Sequence, residues 1–79
     1  MTNKTNRYGM NFKQVNDQAA IDLVAVWVAT NATRYVRVIE NVQGDFEFWN
    51  GKDFVSKHPS FEVAARHAES VVPFKMKVA

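Results

Sequence analysis

The sequence predicts an α+β domain: a mostly antiparallel sheet of three to five strands with one helix packed on one face. Three observations point there. Residues 34–41 and 46–49 alternate apolar and polar side chains with the two-residue period of a strand. Asn50-Gly51, just after the second of these runs, is a strong short-range hairpin signal. Beyond it, Phe61, Ala64, Ala65, Ala68 and Val72 recur at helical spacing behind Ser60, a good helix-capping residue.

Taken in order, residues 1–7 are polar and without periodicity, which predicts a mobile arm. Tyr8 to Val15 fits either an extra edge strand or a segment lying across the sheet. The run from Asp22 to Thr30 has two readings. As a strand, Leu23, Ala25, Trp27 and Ala29 face one way and Val24, Val26 and Val28 the other, so both faces are apolar and the strand is central. As a helix capped by Asn16 or Asp17, it buries Ile21, Val24, Trp27 and Val28 on one stripe. Period does not separate the two in so short a run, and the β-branched residues favour the strand.

Arg34 to Asn41 reads as a strand with Val36 and Val38 on one face and Tyr35, Arg37 and Ile39 on the other. The link Asn41–Gly44 leads to a second strand, in which Phe46 and Phe48 oppose Glu47 and Trp49. A type I′ turn with positive φ at both Asn50 and Gly51 then returns the chain into a short strand over residues 52–55. In the helix, Glu62 complements the positive end of the dipole, and Glu62, Arg66 and Glu69 fall opposite the alanine stripe. Pro73 ends the helix, and Phe74, Met76 and Val78 alternate with Lys75 and Lys77 as a final strand.

Seventy-nine residues make one domain, residues 1–79, whose core supplies only a few kcal/mol of net stability. No cysteine is present to add a disulfide or a thiolate metal site. Aromatic bulk is the compensation: ten of the residues are Phe, Tyr or Trp. Formation of a homodimer is a second way to gain buried area. The first twenty residues are polar and the longest apolar run, Leu23 to Ala29, is far short of a membrane span. These features predict a cytoplasmic protein, in the host cytoplasm if the chain is viral, without membrane contact. The net charge of +2 does not imply a nucleic-acid partner on its own. Its distribution is uneven: residues 21–50 are net acidic, and both ends are net basic.

No catalytic constellation is present, and neither a metal nor a cofactor is expected. Ser60 is explained as a cap, and none of the serines lies in a nucleophile-elbow sequence. His58 and His67 are nine residues apart with no carboxylate in a ligand pattern, and read as ordinary surface histidines. Asp45, Glu47 and Asp53 read as a solvated sheet face, and the three glycines form no phosphate loop. Binding is better supported than catalysis. One helix covers one sheet face, so Tyr35, Arg37, Ile39 and Trp49 are left on the open face unless the N-terminal segment covers it. Tyr, Trp and Arg are enriched at binding hot spots. The same residue types stack single-stranded bases, and Gly44 to Phe48 resembles the strand motif of sheet-based RNA-binding modules. Asp45 and Glu47, however, put negative charge where the phosphates would run. The expected role is therefore a non-enzymatic protein-binding module, with a small nucleic-acid-binding domain as the alternative.

The stretch Ser60–Val78, a capped alanine-rich helix turning into a short basic strand after a β-hairpin, resembles small bacteriophage early proteins, such as the RNA polymerase inhibitors of T7-like phages. The resemblance covers roughly the last 45 residues and is one of architecture, without a diagnostic motif. It implies a stoichiometric inhibitor that binds and blocks a host enzyme or defence complex, and it assigns no residues.

Overall fold

The computed structural model describes residues 3–5, 9–15 and 23–75, with the backbone alone for 3–5 and 23. Six strands and one helix follow one another: β1 (Asn3–Thr5), β2 (Asn11–Val15), β3 (Leu23–Ala29), β4 (Val36–Asn41), β5 (Phe46–Asn50), β6 (Asp53–His58) and α1 (Phe61–Val71). The sheet keeps chain order, β1 to β6, and every neighbouring pair is antiparallel. Five strands run five to seven residues, and β1 is a three-residue addition at one edge. This is the predicted α+β architecture, with that short sixth strand added.

The helix packs over β4, β5 and β6. Ser60 caps it as expected, its hydroxyl accepting from the Val63 N–H at 3.3 Å. The buried stripe is Phe61, Ala64, Ala65 and Ala68, continued by Val72 just beyond the last turn. Against it lie Met10, Phe12, Trp27, Ala29, Val36, Val38 and Phe48. Phe61 is the hub. Its ring meets Phe12 at 5.3 Å, Trp27 at 5.1 Å and Phe46 at 6.3 Å, all edge-to-face. That is the preferred geometry for aromatic quadrupoles.

Residues 23–29 are a strand, which resolves the helix-or-strand ambiguity. Trp27 and Ala29 join the helix-side core, while Val26 is buried beside Ile39 on the other face. A central strand needs apolar residues on both faces, and that is why its sequence lacks clean alternation. Asn11–Val15 is also a strand and extends the sheet beyond β3. The arm expected over residues 1–7 carries a strand at Asn3–Thr5, paired with β2; the remainder of it lies outside the described residues. The final strand expected from Phe74 to Val78 is reduced to one bridge between Ala32 and Phe74, and Met76 to Val78 lie outside the described residues.

The hairpin turn differs from the prediction by one residue. Asn50 pairs with Asp53, so the two loop residues are Gly51 and Lys52. Gly51 has φ +64°, and no non-glycine residue among those described has positive φ. Positive φ at the first central position alone is the pattern of a type II′ turn, which also matches strand twist. The return strand is longer than expected, reaching His58, with a bulge between Phe48 and Trp49.

Polar side chains tie distant segments to this frame. Asn31 accepts from the Asn11 N–H through Oδ1 at 2.8 Å and donates through Nδ2 to the carbonyls of Gly9 (2.8 Å) and Lys75 (2.7 Å). One side chain thus holds three stretches of chain. Glu69 on α1 accepts from the Met10 N–H at 2.9 Å through Oε2. Its Oε1 is buried without a hydrogen-bond partner. Burial pushes the Glu69 carboxyl above the usual carboxylate range; the Met10 N–H pulls the other way, Glu62 adds to the rise, and Arg66 opposes it.

Two predictions follow from this frame. Open space surrounds a Cβ placed on Gly51, so the cost of Gly51→Val is that of the backbone alone, about 1 kcal/mol or more. A urea melt with an unchanged midpoint would reject the turn. For Glu69, the unfolded carboxyl ionises at lower pH than the folded one. The folded state therefore loses stability as pH rises from the ordinary carboxylate range through the raised folded value. Glu69→Gln removes that loss and keeps an acceptor for Met10. The melting temperature of the variant minus that of wild type should be larger at pH 7 than at pH 4, and a difference that grows on acidification would contradict the burial argument.

Candidate binding surface on the open sheet face

The alternation that sends Val36, Val38 and Phe48 to the helix sends Tyr35, Arg37 and Trp49 to the opposite face. Arg37 and Trp49 are direct cross-strand partners, and Trp49 in turn opposes Phe54 on β6. A row of Arg, Trp and Phe therefore crosses three strands, with Tyr35 beside Arg37. The Arg37 guanidinium lies over both the Tyr35 ring (5.5 Å) and the Trp49 ring (5.3 Å). Its Nη2 donates to the Gly51 carbonyl at 3.1 Å, linking it to the hairpin turn. Trp49 and Phe54 meet edge-to-face at 5.7 Å.

Glu47 fixes the indole. Its Oε1 accepts from Trp49 Nε1 at 3.0 Å, and its Oε2 accepts from Asn41 Nδ2 at 3.1 Å. Asn41 is itself held by its own turn, with Oδ1 accepting from the Gln43 and Asp45 N–H groups at 3.0 and 3.1 Å. Asp45 approaches Lys57 at 3.8 Å, an exposed pair of little energetic weight. The acidic residues expected on a solvated face thus have two uses: Glu47 orients an aromatic ring, and Asp45 faces a cation.

Of the predicted binding residues, Tyr35 (57% exposed), Arg37 and Trp49 come together as one accessible cluster. Ile39 does not. It lies on the same face but is 4% exposed, beside its equally buried cross-strand partner Val26, so it is not part of the accessible cluster. Phe54, 51% exposed, takes its place in the row. The described N-terminal segments do not cover this face, because β1 and β2 lie in the sheet.

A second cluster, on the helix side, was not foreseen. Ser56 and His58 on β6 and His67 on α1 converge, with Ser56 Oγ 2.8 Å from His58 Nε2 and 2.7 Å from His67 Nδ1. The two ring nitrogens are 3.2 Å apart. His67 packs edge-on against Phe48 at 5.5 Å. Burial, and then the neighbouring His67, push His58 below the usual histidine range, so its neutral form is favoured. A signal existed in the two-residue step from Ser56 to His58, which puts both on one face of a strand, but placing His67 above them requires the helix position.

No helix among the described residues is long and apolar enough to cross a membrane. Comparison with protein-family models, with curated proteins and with solved structures returns no match.

The role of Glu47 is testable directly. Glu47→Ala should speed hydrogen exchange at the Trp49 indole N–H by about tenfold and cost about 1 kcal/mol of stability, as expected for a lost charge-assisted hydrogen bond. Unaltered exchange in the variant would show that the indole is held by packing alone.

Proposed function

We propose that the protein is a non-enzymatic protein-binding module that engages its partner through Tyr35, Arg37, Trp49 and Phe54. The observation that carries this reading is the state of Arg37 and Trp49 before any partner arrives. The guanidinium is stacked between two rings and hydrogen-bonded to the turn, and the indole is pinned by Glu47. Side chains already ordered lose little rotamer freedom on binding, so more of the contact energy survives as affinity. Aromatic and Arg anchors in one patch are the usual composition of a hot spot. With the resemblance to small bacteriophage early proteins, this reading extends to a cytoplasmic inhibitor that acts by stoichiometric contact with a host enzyme or defence complex.

Nucleic-acid binding through the same aromatics is the competing reading. Glu47 stands beside Trp49 and holds its indole, and Arg37 already uses its Nη2 on Gly51. Both features disfavour a phosphate track beside the rings. The experiment compares wild type with Trp49→Ala and with Val63→Ala, a control on the exposed side of α1. The expected result is a bacterial protein partner retained in stoichiometric amount by wild type and by the control, with affinity lowered about thirtyfold or more by Trp49→Ala. That affinity should change little between low and physiological salt. Micromolar binding of single-stranded or duplex oligonucleotides at physiological salt, lost on Arg37→Ala, would overturn the proposal.

A further inference from the structure

The chain has two histidines, and the fold brings both to one point. We propose that Ser56, His58 and His67 form a binding site for a divalent transition-metal ion of the zinc, nickel or copper kind. His58 Nε2 and His67 Nδ1 are the nitrogen ligands, Ser56 Oγ is a weaker oxygen donor, and water completes the coordination. The site is independent of the open sheet face, since it lies on the helix side of the sheet.

Geometry is the main argument. A zinc–imidazole bond is about 2.0–2.1 Å. Two nitrogens 3.2 Å apart therefore subtend about 100° at a shared ion, close to the tetrahedral angle. The three donor atoms, separated by 2.8, 2.7 and 3.2 Å, lie on a circle of about 1.7 Å radius. That radius is shorter than the bond, so a point about 1 Å off their plane lies within bonding distance of all three. All three sides are also within hydrogen-bond range, so in the absence of an ion the same atoms satisfy one another.

The surroundings suit the chemistry. Edge-on packing against the fully buried Phe48 holds the His67 ring, and His58 stands opposite Phe46 in the sheet register. Ligands oriented by packing bind without first being ordered. Ser56, His58 and His67 are each half-buried, so an ion and its waters have access. Among the described residues no three His, Asp or Glu side chains gather, so the site lacks the oxygen donors that magnesium or calcium requires. Imidazole nitrogen selects the later transition ions instead. An ion here joins the edge strand β6 to α1 in a chain that has no disulfide to do so.

The test uses the full-length chain without a histidine tag. Zinc and nickel are titrated by calorimetry and thermal melting, with magnesium as a control, and the two imidazole resonances are followed by NMR. Expected are one ion per chain, a melting temperature raised by zinc and not by magnesium, and simultaneous shifts of both imidazoles. His58→Asn and His67→Asn should each weaken zinc binding at least tenfold, and Ser56→Ala by a few-fold. Absence of saturable binding up to about millimolar zinc would overturn the proposal. So would undiminished binding in the double histidine variant, or a response from one imidazole only. Should the variants fail to fold, the wild-type NMR titration decides alone, because no other histidine contributes a signal.

Discussion

Much of this structure depends on how closely α1 can approach the sheet. Ala64, Ala65 and Ala68 are completely buried, so the helix backbone lies almost on the strands. Phe61 fills the space that opens at the helix start, and four aromatic rings meet there within edge-to-face range. A chain of 79 residues without cysteine has little else to draw on. Larger residues on the stripe would lift the helix and part Phe61 from its partners, because close-packed interiors do not absorb extra methylenes. The same contact decides which strand face is covered, and therefore which residues remain accessible on the other.

The open face is organised by electrostatics at short range more than by net charge. Three short contacts restrict it: Glu47 holds an indole, Asn41 holds Glu47, and the Gly51 carbonyl holds Arg37. The outcome is an ordered aromatic and cationic row with the buried pair Val26 and Ile39 on the same face. On the helix side, Ser56, His58 and His67 gather in an arrangement that is unrelated to that row and chemically unlike it. The two faces of one sheet thus carry different chemistry because strand residues alternate.

The parts legible in the sequence were those governed by local rules. Ser60, the alanine stripe and the alternation of Val36, Val38, Phe46 and Phe48 each act within a few residues, and each is found as read. Leu23–Ala29 was legible as a strand from its β-branched residues, although both faces are apolar. What was missed depends on relations between segments. The turn moved by one residue because the pairing of Asn50 with Asp53 sets the loop, and the Asn-Gly pair does not set it alone. Phe54 opposes Trp49 only because a bulge offsets the register, and bulges leave no clear sequence mark. Ile39 is 4% exposed although it shares the face of Tyr35 and Arg37, and periodicity within β4 does not report that difference. His58 and His67 meet across a turn of two residues, Pro59 and Ser60, whose direction decides whether they face or diverge.

The strand order of the sheet follows the chain order without a crossover, and this bears on how the protein assembles during synthesis. Each strand finds its neighbour in the strand made just before it, so the sheet needs only short loop closures. The longest closures are left to the end: Phe61 must reach back to Phe12, Glu69 to Met10 and Lys75 to Asn31. A sheet with its strands paired has its core face bare until α1 packs on it. Packing of α1 converts a sheet with two apolar faces into one with a single open face.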